Sequence, residues 1–170
     1  MANFKFDFDS KYGADLQFHK EAGDVLSIDD LLEILRPAGL RLKEHFRNAL
    51  NTLFQRRTGS LADSIDIEDD YVLGGDGYAQ IKVKPFGKHK GGRLTRRSRA
   101  GGEGRRYAKH NRRVSSTSLT NAELGYLLEF GTPRIKATHW MENTNETVED
   151  EIQEIIDDGF TEVLKKKGLI

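Results

Sequence analysis

The chain has 170 residues and 19.3 kDa, enough for one ordinary domain and too little for two, with 36% hydrophobic and 32% charged residues. Its 27 Lys and Arg balance its 27 Asp and Glu, so the whole molecule has no net field to steer partners, and any electrostatic function must come from local segregation. The absence of Cys excludes disulfides, thiolate metal sites and Cys nucleophiles; no apolar run approaches the roughly 18 residues of a membrane span, and residues 1–13 lack the basic-then-apolar order of a signal peptide, so a soluble, cytoplasmically made protein is expected.

Phe4, Phe6 and Phe8 alternate with Lys5, Asp7 and Asp9, the period of a strand with one buried face. Residues 1–26 as a whole are expected to form an extended N-terminal arm. Ser27 and Asp30 resemble a capping box ahead of Leu31, Leu32, Ile34 and Leu35. Pro37 interrupts that helical pattern, which resumes with Leu42, Phe46, Ala49, Leu50, Leu53 and Phe54, so two helical pieces are predicted, roughly 28–36 and 38–57. Gly59 ends the second piece or starts a short turn through Leu61 to Ser64.

Ile65, Ile67 and residues 71–73 read as one strand, and Ala79, Ile81 and Val83, alternating with Gln80, Lys82 and Lys84, as its partner. The Gly-rich stretch 74–77 joins them as a β-hairpin, and Pro85 closes it. Residues 114–119 are a candidate third strand, and residues 122–130, with Leu124, Leu127 and Leu128, a short helix stopped by Gly131. Trp140, Met141, Val148, Ile152, Ile155, Ile156, Phe160, Val163 and Leu164 trace one stripe of a C-terminal helix over 140–167, with acids early and Lys165, Lys166 and Lys167 in its last turn, as the helix dipole favours. Gly159 inside it costs about 1 kcal/mol relative to Ala and predicts a kink or a close helix contact. The expected architecture is a single α+β domain in which a small antiparallel sheet, the hairpin plus one or two further strands, packs against long helices.

The balanced total conceals three blocks. Residues 63–76 hold six acids and no base, and residues 142–162 nine acids and no base. Between them, residues 86–113 hold eleven bases, Lys88, Lys90, Arg93, Arg96, Arg97, Arg99, Arg105, Arg106, Lys109, Arg112 and Arg113, against the single acid Glu103. That basic block carries six glycines and only two aromatics, Phe86 and Tyr107, so it cannot bury a core of its own and is expected to be a long flexible loop ordered by a partner. It suits salt-sensitive contact with nucleic acid, though few aromatics are present for base stacking, and docking to a protein is favoured over DNA contact or plain solvation. The chain itself supplies a surface complementary to the basic loop, the nine-acid helix, which in a homo-oligomer would belong to the next subunit.

Catalytic patterns are sparse. Asp66, Glu68 and Asp70 share one face of a strand, as a two-metal nuclease would need, but a solvated strand face opposite Ile65, Ile67 and Tyr71 is the better account, because no Lys or His stands at a convincing spacing beside them. Five histidines, His19, His45, His89, His110 and His139, form no HExxH pair; the ingredients of an HNH nuclease near His89 and His110-Asn111 lack its apolar flanking strands. Gly91-Gly92 and Gly101-Gly102-Glu103-Gly104 lack the Lys-Ser/Thr of a phosphate loop. Neither catalysis, a cofactor nor a metal is expected.

Two separated motifs carry a family resemblance. Thr58-Gly59-Ser60-Leu61-Ala62-Asp63-Ser64-Ile65, then Leu127-Leu128-Glu129-Phe130-Gly131-Thr132 and His139-Trp140-Met141, resemble in order the head-tail joining proteins of lambdoid and related long-tailed bacteriophages, the neck or tail-completion family. In that family a helix leads to a Thr-Gly-x-Leu-x-x-Ser-Ile turn and a hairpin, then to a Glu-Phe-Gly-Thr segment, an aromatic and a terminal helix; the likeness covers roughly residues 30–165. The basic insertion is longer than the family core needs, residues 1–25 look like an addition, and His139-Trp140 stands where a Pro-aromatic pair is often seen.

The resemblance implies a structural virion component, made in the host cytoplasm, that forms a homo-oligomeric ring of six-fold or twelve-fold symmetry around the DNA channel. Its partners would be the head-closure or connector proteins, the tail terminator or tail tube proteins and the viral DNA, with no membrane. Thr58, Gly59, Leu61, Ser64, Glu129, Phe130, Gly131, Thr132 and Trp140 are the motif residues. Gly131 is expected to supply a backbone conformation that a side chain would hinder, and Glu129 and Thr132 to cap or hydrogen-bond the turn. The alternative is a nucleic-acid-binding accessory protein that uses residues 86–113.

Overall fold

The computed structural model describes residues 3–7, 13–19, 25–53, 59–72, 77–87 and 120–170, with backbone alone for residues 3–7, 59, 60 and 72. Its elements in chain order are β1 (Asn3–Asp7), β2 (Ala14–His19), α1 (Ile28–Leu53), α2 (Gly59–Asp63), β3 (Ile65–Val72), β4 (Tyr78–Pro85), α3 (Asn121–Phe130) and α4 (Trp140–Lys166). The four strands form one antiparallel sheet in the order β1-β2-β4-β3. The fold is α+β, a small antiparallel sheet against long helices.

The register puts Ala14 opposite Val83, Leu16 opposite Ile81 and Phe18 opposite Ala79, all of them buried. With Ile65 of β3 they make the sheet face that α1 covers. Gly39 fixes how closely: a Cβ there would stand 2.7 Å from Ile81 Cγ2, so α1 lies on β4 at a distance only a hydrogen allows. On its other side α1 receives α4. Phe46 meets Trp140 edge-on at 5.3 Å between ring centroids, while near the opposite ends Lys166 pairs with Glu33 and Lys167 with Asp30 at 2.6 Å, so the two helices run antiparallel.

The Ser27 capping box is present: Ser27 N donates to Asp30 Oδ2 at 2.7 Å and Asp30 N to Ser27 Oγ at 3.2 Å. Two sequence expectations are corrected. Residues 28–53 form one helix rather than two pieces, with Pro37 inside it. Proline removes a single backbone donor, and here the helix on both sides of it is held by burial: Ile34, Leu35, Ala38, Leu42 and Phe46 are all 1% exposed or less. The N-terminal arm is in its described part no arm, because β2 is an interior strand paired on both sides and β1 extends the sheet beyond it. Its alternating Ala14, Leu16 and Phe18 supply core that no other strand provides. The expected strand over 114–119, the helical continuation over 54–57, the turn over 74–76 and Phe8 lie outside the described residues.

Candidate functional site

Residues 127–141 build the corner between α3 and α4. A capping box opens α3: Thr120 Oγ1 accepts from Glu123 N at 3.1 Å, and the Glu123 carboxylate accepts from Thr120 N at 2.8 Å, which holds the Glu123 carboxyl below its usual range. At the other end of α3 Gly131 N closes the last helical bond, to Leu127 O at 3.0 Å, and the returning chain supplies the next two carbonyls: Thr138 donates to Leu128 O through both N and Oγ1, and His139 N to Glu129 O at 3.1 Å.

The exchange is reciprocal. Glu129, 3% exposed, turns its carboxylate to the first turn of α4, where Oε2 accepts from Met141 N at 2.7 Å and Oε1 from Glu142 N at 3.2 Å. A negative group at a helix N-terminus is stabilised by the orphan donors and by the dipole together. Trp140 Nε1 donates to Gly125 O at 3.2 Å and pins the aromatic of the motif between the two helices.

The link between the helices is tight. Gly131 has φ +75°, and a Cβ on it would lie 2.6 Å from Ala137 N and 2.7 Å from Ile135 O, so any other residue is refused on both counts. Thr132 Oγ1 accepts from Arg134 N and Ile135 N, at 3.2 and 3.1 Å, and folds residues 132–135 into a turn. Phe130 is the exception among the motif residues: it is 56% exposed and stacks only on Tyr126, at 4.7 Å.

Of the first motif, Gly59 begins α2, Leu61 is buried in the core and Ser64 Oγ donates to Leu61 O at 2.7 Å; Thr58 lies outside the described residues. Those residues start β3 and are separate in sequence and role from the α3–α4 corner. Asn121, which the sequence reading overlooked, ties the insertion shut: its N donates to Gly87 O at 2.9 Å and its Nδ2 to Phe86 O at 2.7 Å. Lys88, Lys90, Arg93, Arg96, Arg97, Arg99, Arg105, Arg106, Lys109, Arg112 and Arg113 lie outside the described residues.

The acids of β3 do not gather. Asp66 takes Lys43 at 2.7 Å, Glu68 takes Lys84 at 2.9 Å and Asp70 takes Lys82 at 2.5 Å, the last two as diagonal cross-strand pairs. The lysine partners hold the Asp66 and Asp70 carboxyls below their usual range. Glu129, His139 and Glu142 do bring three ligand atoms within 4.8 Å of one another. The set is a cap: two backbone N–H donors occupy the Glu129 carboxylate, His139 Nδ1 pairs with Glu142 at 3.1 Å, and the positive end of α4 faces the place a cation would take.

The outer face of α4 is strongly acidic. Glu142, Glu146, Asp150, Glu154, Asp158 and Glu162 recur at every fourth residue and all are exposed, a ridge crossing the solvent face over about 30 Å. Glu151, off that row, is taken by Arg41 at 2.5 Å and His45 at 3.0 Å, and the Arg41 bond keeps its carboxyl low. Glu142 has His139, and Glu162 feels Lys166. Glu146, Asp150, Glu154 and Asp158 have no ion-pair partner among the described residues, although like charges at this spacing repel. Among the described residues no helix is long and apolar enough to cross a membrane.

No protein-family model matches the chain, and neither a curated protein nor a solved structure is found to match it.

Proposed function

We propose that the chain is a structural component of the head-tail joint of a tailed bacteriophage, a neck or tail-completion protein that assembles as a homo-oligomeric ring around the DNA channel and resides in the virion. The observation that carries this reading is the α3–α4 corner. Glu129, Gly131, Thr132 and Trp140, the motif residues of the resemblance, each have a defined structural task there, and a helix, a Gly-containing turn, a hairpin, the Glu-Phe-Gly-Thr segment, the aromatic and a terminal helix follow in the implied order. The strong local charge on a neutral chain supports a role in assembly. The lysine-paired acids of β3 support a role without catalysis.

The test mixes purified protein with DNA-filled tailless heads and follows light scattering and negative-stain images. Rings, or monomers recruited to the head vertex, are expected. Protein that ignores heads at every concentration refutes the reading. The charge of residues 86–113 favours a second reading, a nucleic-acid-binding accessory protein. It requires duplex binding that falls steeply with salt and is abolished by Arg96→Glu, Arg97→Glu, Arg105→Glu and Arg106→Glu together; no binding at low salt removes it.

A further inference from the structure

We infer that the acidic ridge of α4 is a docking surface for the Arg-rich segment 88–113 of a second copy of this chain, a contact that rests on the ring reading and names the two surfaces that would build the ring. Four observations lead there. First, the middle of the ridge is an unpartnered helix face among the described residues: α4 packs on α1 through Trp140, Val148, Ile152, Ile156 and Val163, and the row from Glu142 to Glu162, with Glu146, Asp150, Glu154 and Asp158 unpaired, crosses the opposite side. Second, several cations of α1 and of the end of α4 are engaged off the row: Arg41 with Glu151, Lys166 with Glu33 and Lys167 with Asp30. The richest source of positive charge in the chain is residues 86–113, with eleven bases against one acid.

Third, the dimensions agree. An extended chain advances about 3.3 Å per residue, so Arg96 to Arg106 would span about 33 Å, against about 30 Å for the carboxylate row. Arginines two apart, such as Arg97 and Arg99, would fall about 6.6 Å apart, close to the 5–6 Å between neighbours on an i,i+4 ridge.

Fourth, the sign of the charges selects the kind of contact. An isologous dimer through this face would lay carboxylates on carboxylates. A head-to-tail contact, ridge of one subunit to basic segment of the next, pairs opposite charges and leaves a free ridge and a free segment at the two ends. Such a heterologous contact propagates until it closes into a ring. Asn121, at the start of α3, holds Phe86 and Gly87 at the base of the insertion, and Gly125 one turn on accepts from the Trp140 indole that opens α4.

The experiment uses two full-length variants, one carrying Glu146→Lys, Asp150→Lys and Glu154→Lys, the other Arg96→Glu, Arg97→Glu, Arg105→Glu and Arg106→Glu, studied by light scattering and sedimentation. The parent should self-associate at low salt and dissociate at high salt, and each variant alone should associate at least about tenfold more weakly. Mixed together, the two should regain association, because the unaltered segment of the ridge variant meets the unaltered ridge of its partner. Glu146→Gln, Asp150→Asn and Glu154→Gln with unchanged circular dichroism should weaken association in the same direction, which decides the matter if the lysine set does not fold. The inference is overturned if the parent stays monomeric at low salt, if it takes up a DNA duplex in place of itself, or if the ridge variants associate like the parent. A mixture that remains monomeric, while a chain carrying both reversals regains parental behaviour, places the segment on its own ridge and also overturns it. Heads that recruit the ridge variants as well as the parent would remove this contact and leave the ring reading standing. A salt-sensitive complex with no affinity for heads would do the reverse.

Discussion

Glu129→Gln tests whether the motif glutamate is the cap that joins α3 to α4. The carboxylate accepts from two backbone donors, Met141 N at 2.7 Å and Glu142 N at 3.2 Å, in a place 3% exposed. Glutamine keeps the shape and one acceptor oxygen but turns an NH₂ toward the second donor. One buried N–H loses its partner, about 1–3 kcal/mol, and the helix loses the negative group at its positive end, about 0.3–1 kcal/mol. The expected loss is about 2–3 kcal/mol. At about 2–4 °C per kcal/mol for a chain of this size, Tm should fall by about 5–10 °C in calorimetric or far-UV circular dichroism melts. Glu142→Gln is the control: it is a neighbouring glutamate, but exposed and paired only with His139, and should shift stability by less than about 0.5 kcal/mol. A Glu129→Gln protein that melts within about 1 °C of the parent refutes the cap.

Three further outcomes follow from the same geometry. Gly131→Ala forces a Cβ to within 2.7 Å of two backbone atoms at φ +75°, and should lower the urea midpoint by the equivalent of about 2–4 kcal/mol; an unchanged midpoint would show that the corner relaxes freely. Gly159→Ala should act oppositely, raising stability by up to about 1 kcal/mol, because its Cβ would meet Ile34 no closer than 3.5 Å while the helix gains propensity; a loss in the same urea titration would mean α1 and α4 approach more closely. Acid should destabilise the fold. Hydrogen bonds from Lys43, Lys82, the Thr120 N–H and Arg41 hold the Asp66, Asp70, Glu123 and Glu151 carboxyls, respectively, below their unfolded values, which lie near about 4, so this stabilisation is complete above about pH 5 and is lost as pH falls through the folded values. Urea midpoints should be level from about pH 7 to 5 and drop below about pH 4, and a midpoint that holds to about pH 3 contradicts the pairing.

What was legible in the sequence was what neighbours along the chain decide. The Ser27 capping box, the β3–β4 hairpin, the stop at Gly131 and the buried stripe of α4 each depend on residues a few positions apart, and each stands where the spacing put it. Thr120-x-x-Glu123 was readable by the same rule and went unread, so the start of α3 was placed one residue late. Pro37 misled because the local penalty of proline is outweighed by burial on both sides of α1, which only the tertiary structure supplies. The place of β2 was hidden for a related reason. Ala14, Leu16 and Phe18 alternate as a strand should, but their partners on β4 lie more than sixty residues away, and nothing local says that β2 inserts between β1 and β4. At the corner, Glu129 could be read as a polar turn residue; that its partners would be the first N–H groups of α4 required the fold.

The corner also shows what kind of information a motif such as Glu-Phe-Gly-Thr carries. Glu129, Gly131, Thr132 and Trp140 are used within the chain, by reciprocal capping, by a turn that excludes a side chain and by a buried indole, and they leave no atom of that set directed to a ligand. Phe130 alone turns outward, beside Tyr126. Residues so employed specify how α3 meets α4, and the same need would recur in any chain that makes this joint. What separates one such chain from another must then lie on the surfaces that the joint presents. Here those are an exposed row of carboxylates starting at the corner and an insertion rich in arginine whose two ends are tied together at the start of α3. Opposite charges on a neutral chain would be neutralised more simply by pairing within the domain, as Glu151, Glu33 and Asp30 are, yet Glu146, Asp150, Glu154 and Asp158 take none of the cations among the described residues. Positive charge brought from elsewhere would ease their repulsion along α4, and that makes the outer face of α4, rather than the motif, the place where assembly should be tested first.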